Sequence, residues 1–140
     1  MVSKGATLGM NRNERLFVGL ENVAGSLNIV FAIRFEGTVS KEAARAAVRE
    51  IVRAHPRLRS LVEPTTFGHR FRILPAGPAV DERVDAAFEV FRGIDIDDDA
   101  AIADASARFA NEPIVIEEEL PIRVRFLPHR ERPVLLLSVH

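Results

Sequence analysis

A mixed α+β domain, with one main sheet at its centre and helices flanking it, is the fold class this sequence predicts. Three observations point to it. Runs rich in Val, Ile and Phe alternate with segments of helical periodicity. Residues 40–55 make the clearest helical segment, opened by Ser40 and stopped by Pro56. Residues 134–137, Val-Leu-Leu-Leu, are continuously apolar, as a strand covered on both faces should be.

Taken in order, residues 1–10 are small and polar with two glycines and read as a flexible tail, leaving one domain over 11–140. Residues 11–20 read as a short helix, with Asn11 or Asn13 as N-cap and Leu16, Phe17 and Leu20 on its apolar side. Residues 27–35 partly alternate and form a strand that ends at Glu36-Gly37. In the helix after Ser40, Glu42 suits the first turn, and Ala44, Ala47, Val48, Ile51 and Val52 recur at helical spacing. Residues 58–62 and 69–74 read as a hairpin around 65–68, and 75–78 as a loop. A strand follows at 88–92. Asp97–Asp99 cap a second long helix whose Ile102, Ala105, Ser106 and Phe109 share a face. Residues 121–127 and 133–139 are the last two strands, joined by His129-Arg130-Glu131-Arg132.

The bulk composition narrows the function. At 140 residues, with 47% hydrophobic and 28% charged side chains, the chain can bury a core. Nineteen basic and twenty acidic residues leave a net charge near zero, with no basic cluster to bind nucleic acid. The absence of cysteine removes disulfides, a thiol nucleophile and a thiolate metal site, and fits a cytoplasmic protein. No signal-peptide core or membrane-length apolar run is present.

Three stretches carry a resemblance. Arg53-Ala54-His55-Pro56-Arg57-Leu58-Arg59 is similar to the R-H-P-x-L-R signature of condensation domains, where it closes the first long helix. Residues 121–126, a short polar hairpin and Leu135-Leu136-Leu137-Ser138-Val139-His140 resemble the approach to that superfamily's H-H-x-x-x-D-G motif. Asn13-Glu14-Arg15-Leu16-Phe17 resembles its opening motif, closest to the polyketide-associated and alcohol-acyltransferase branches. The chain thus resembles the N-terminal portion of a chloramphenicol-acetyltransferase-like acyltransferase, a half-domain truncated where the motif begins.

The resemblance implies transfer of an acyl group from a thioester to an alcohol or amine by direct, histidine-assisted attack. The donor, acyl-CoA or an acyl group on a carrier protein's phosphopantetheine arm, enters as substrate; no permanently bound cofactor is implied, and the donor's binding residues stay unassigned. The remaining C-terminal half, on the same or a separate chain, is the first partner, with acyl carrier protein and a small alcohol or amine acceptor beside it. His140 would be the motif's first histidine, the general base would follow it, and this stretch alone would be inactive. Arg15 would hold the motif aspartate in a salt bridge. The alternative is a non-catalytic half-domain acting as scaffold or interaction module, and a third is a small stand-alone ligand-binding protein.

Other polar residues have plainer readings. His55 precedes a proline at a helix end, where it serves the helix terminus. His69 and His129 fall in hairpins and read as solvated. No histidine pair has metal-ligand spacing, so no metal is expected. Asp95, Asp97 and Asp99 alternate as in a calcium loop, but Ala100 replaces the glycine and Ser106 the bidentate glutamate, so they read as a cap cluster. Glu117-Glu118-Glu119 reads as a solvated turn. The Leu135–Leu137 strand is expected to show an uncovered face that drives association.

Overall fold

The computed structural model describes residues 5–25 and 27–140, with Asn22 described by its backbone alone. In chain order the elements are β1 (Thr7–Gly9), α1 (Arg12–Ala24), β2 (Ile29–Arg34), α2 (Lys41–Ala54), a 3-10 turn (Pro56–Arg59), β3 (Ser60–Thr65) and β4 (Gly68–Ile73). Then come α3 (Pro78–Ala87), β5 (Phe88–Val90), α4 (Asp99–Ala110), β6 (Ile122–Leu127) and β7 (Val134–Val139). The mixed α+β architecture follows the prediction. The main sheet has the order β2-β7-β6-β5, and the predicted hairpin joins β1 in a second sheet, β1-β4-β3. All neighbours are antiparallel except β5 and β6, which α4 connects as a parallel crossover.

Both faces of the main sheet are packed. On one, Ala44, Val48 and Val52 of α2 and Val80 and Val84 of α3 cover Phe88, Ile122, Val124, Phe126 and Leu135. On the other, Ile102, Ala105 and Phe109 of α4 cover Leu127, Val134 and Leu136. β7 lies between β2 and β6, so its backbone is paired on both sides, and Leu136 is fully buried. This corrects the expected uncovered face at Leu135–Leu137, since Leu135 and Leu136 are buried and Leu137 is half-buried. The uncovered apolar surface lies one strand over. Ile29, Phe31 and Ile33 of β2 face the same way as Val139, Leu137 and Leu135 but stand 62%, 52% and 39% exposed.

Two further expectations change. Residues 1–4 of the proposed tail lie outside the described residues, but Thr7–Gly9 pairs in register with Arg70–Arg72, so this segment is a strand. Its order comes from β4's free edge, not from its own composition. In α1, Asn11 is the N-cap, with its side chain accepting from Glu14 N and Glu14 returning the bond to Asn11 N. The helix runs to Ala24 and ends at Gly25, whose φ of +84° suits glycine. Leu16, Phe17 and Leu20 do not form its buried side; they are exposed, and Val18 is buried instead.

α2 and α3 are also joined by charge. Arg49 and Arg53, one turn apart, face Asp85 and Asp81, also one turn apart. Arg49 Nε donates to Asp85 at 2.9 Å and Arg53 Nε to Asp81 at 3.0 Å. The Arg53 guanidinium, through its hydrogen bonds first and its charge second, holds the Asp81 carboxyl below the ordinary aspartate range. A depressed folded-state pKa contributes stability above the unfolded value, and that contribution is lost as pH falls through the folded value. The melting-temperature gap between the native chain and Asp81→Asn should therefore be constant at neutral pH and shrink below about pH 4. A gap that stays constant down to the acid limit of the fold would show that the pair adds no pH-linked stability.

Candidate functional site

His140 follows the last residue of β7, and its backbone N–H donates to Pro121 O at 3.1 Å, extending the strand's ladder. A central strand therefore fixes the root of this imidazole. Its side chain is 13% exposed and lines a cavity of about 400 Å³ between α1, the three-stranded sheet and the end of β7. The imidazole Nε2 lies 3.1 Å from Glu21 Oε1, off the line that an aligned hydrogen bond requires.

The cavity walls come from segments far apart in sequence. Helix α1 contributes Glu14, Phe17 and Val18, and β3 contributes Ser60 and Val62. Leu27, Ile29 at the start of β2, Phe71 of β4, Ile116 and Pro121 complete the apolar lining, so the uncovered face of β2 borders the cavity at Ile29. Val62, Val18 and Ile116 are themselves buried and pack together with Met10 and Ile114. Phe17 is half-exposed because it faces this space rather than a packed neighbour.

One charged pair stands in the wall. Arg57 Nη2 lies 2.6 Å from Glu14 Oε1, and the Arg57 guanidinium sits 4.2 Å from the centre of the Phe71 ring. Ser60 Oγ donates to Arg57 O at 2.7 Å, steadying the same turn. The arginines around the His55-Pro56 step thus serve different elements. Arg53 reaches Asp81 of α3, Arg57 reaches α1, and Arg59 donates to the carbonyls of Leu74 and Arg53. His55 itself is exposed, and it ends α2 through its backbone N–H, which donates to Ile51 O at 3.0 Å.

Of the residues singled out by sequence, the structure brings His140 to the cavity and leaves Arg15 exposed on α1, outside the lining. Glu14, Glu21 and Arg57 were missed as site residues. Glu14 and Arg57 each stood inside a quoted motif, but nothing in the sequence tied one to the other. His129 is exposed and its Nδ1 accepts from the Glu131 and Arg132 backbone, and His69 is half-buried in the hairpin. Asp98 caps α4 by accepting from Ala100 and Ala101 N, while Asp95 accepts from Asp97 N. Among the described residues no helix is long and apolar enough to cross a membrane.

No protein-family model and no curated protein matches the sequence. Solved structures do match. A condensation domain from the Monacolin K polyketide synthase MokA is 11% identical with a TM-score of 0.71, over 96% of this chain and 30% of that one. A variant starter condensation domain of rhizomide synthetase RzmA, in complex with C8-CoA, is 16% identical with a TM-score of 0.72, over 96% and 31%. The SgcC5 protein from Streptomyces globisporus, solved with a naphthyl-ethanediol and sucrose, is 28% identical with a TM-score of 0.61, over 81% and 25%. The chain spans about a quarter to a third of the length of these structures. Anticipated from three sequence stretches and now matched over most of the chain, the fold of these residues is that of part of a condensation domain, a chloramphenicol-acetyltransferase-like half-fold.

Proposed function

We propose that this chain is the His140-bearing part of an acyltransferase that moves an acyl group from a thioester to an alcohol or amine. The observation that carries the reading is the placement of His140, fixed by a central strand and set in the wall of an apolar cavity. The donor is acyl-CoA or an acyl group on a carrier protein. An alcohol is a poor nucleophile at neutral pH, and a positioned imidazole removes its proton for about 10²- to 10⁴-fold in rate. The thioester brings its own leaving group, so holding donor and acceptor together supplies much of the rest.

In this reading His140 is a positioning residue beside the base, and the base and the opposite wall come from a further segment. Two facts support that division. The chain spans only part of each matched structure, and β2 offers Ile29, Phe31 and Ile33 as an uncovered apolar face. Arg15, exposed on α1, is the proposed partner of an aspartate on that segment.

The test is a transfer assay with acyl-CoA and a panel of alcohols and amines. It compares the 140-residue chain with the natural polypeptide that carries it, whose mass is measured first. Transfer by the natural polypeptide and none by the 140 residues alone is the expected result. No transfer by either, with donor and acceptor both bound, would favour the non-catalytic scaffold.

A further inference from the structure

We propose that the cavity beside His140 is a binding site for an uncharged hydrocarbon group and that the Glu14–Arg57 pair makes it reject a free carboxylate. The inference builds on the acyl-transfer reading of the same site and names the class of group it holds. At about 400 Å³ the cavity lies toward the lower end of the ~300–1,000 Å³ typical of ligand sites. That suits part of a substrate, such as one chain or ring system.

The chemistry of the wall sets the preference. Phe17, Val18, Val62, Phe71 and Ile116 offer no partner to a charged group, which would lose hydration on entry. Arg57 is the permanent cation among the lining residues, and it is already engaged twice. Glu14 neutralises it at 2.6 Å, and the guanidinium also sits 4.2 Å from the centre of the Phe71 ring. An anion would therefore meet a guanidinium already neutralised by the Glu14 carboxylate. An alcohol, ester or thioester carries no such penalty.

Glu14 is also the residue through which the preference can be changed without breaking the helix. It occupies the third helical position of a capping box, where glutamine serves as well as glutamate. Glu14→Gln should keep the cap and release the charge of Arg57.

The experiment uses the natural polypeptide and reads binding without turnover, so its outcome is independent of whether transfer occurs. Displacement of the neutral dye Nile red is followed with 1-octanol, octanoate at pH 8 and 2-naphthalenemethanol as probes. Octanol should bind at least about tenfold more tightly than octanoate, a difference of ~1.4 kcal/mol or more. Glu14→Gln should raise octanoate affinity several-fold and leave octanol unchanged. Phe17→Asp, at a half-exposed position in the cavity wall, should lower octanol affinity at least about tenfold. Phe67→Asp, at a 96% exposed position in the hairpin turn and outside the lining, should not change it. The naphthyl probe tells a ring-binding cavity from a chain-binding one, and tight binding of either neutral probe supports the proposal. Octanoate binding as tightly as octanol would overturn it. So would octanol binding that is insensitive to Phe17→Asp, because the dye and alcohol would then be reporting another surface.

Discussion

Leu136→Ala is expected to lower the unfolding free energy of the chain by about 3–5 kcal/mol, as buried leucine truncations do. Leu136 is fully buried at the middle of β7, with strands paired on both sides and Ile102, Ala105 and Phe109 of α4 in the same cluster. Neighbours held by a paired sheet cannot move in to fill the lost volume, so the cavity cost adds to the lost transfer energy. That is a large share of the roughly 5–15 kcal/mol available to a domain, and Leu136→Asp should not fold. Phe67→Ser is the control. Phe67 is 96% exposed in the hairpin turn, and its replacement should shift stability by no more than about 0.5 kcal/mol. Urea titrations of the three folded proteins check the pair of values. Equal midpoints for Leu136→Ala and Phe67→Ser would show that β7 is not the centre of the core.

His140→Ala, made in the natural polypeptide, should lower kcat/KM for acyl transfer by on the order of 10²-fold, the scale of a loss of positioning. The loss should fall mainly on kcat. His140 holds its place through the β7 ladder and the Glu21 contact, so removing it frees the neighbouring chain rather than removing a binding contact. Glu21→Gln keeps the size of its side chain and should have a smaller effect in the same direction. His140→Ala that retains full kcat with an unchanged circular dichroism spectrum would remove this residue from the mechanism. A loss confined to KM would make it part of substrate binding instead.

Much of this fold was legible in the sequence because the signals were local. Ser40 capped α2 and His55-Pro56 ended it where capping and proline geometry predict. The β3–β4 hairpin, α4 with its Ile102–Phe109 face and the two last strands were equally plain. What was missed depended on other parts of the chain. Helix α3 went unread because its ten residues bury only Val80 and Val84, although Gly77-Pro78 carried a start signal. β1 exists because β4 has an edge for it to join. The apolar residues of α1 predicted a buried side, but Phe17 borders the cavity and Leu16 and Leu20 are exposed. His140 was found because a motif pointed to it. The cavity was not, because Glu14, Arg57 and His140 meet only after three distant segments have folded together.

The most direct test is the His140 side chain itself. The natural polypeptide is titrated with a thioether analogue of octanoyl-CoA that cannot be hydrolysed, and the imidazole signal, identified by its absence in His140→Gln, is followed by NMR. A saturable shift of that signal, with the same midpoint as binding, is the predicted result. Tight binding of the analogue with the His140 resonance unmoved would contradict the placement of acyl transfer at this cavity.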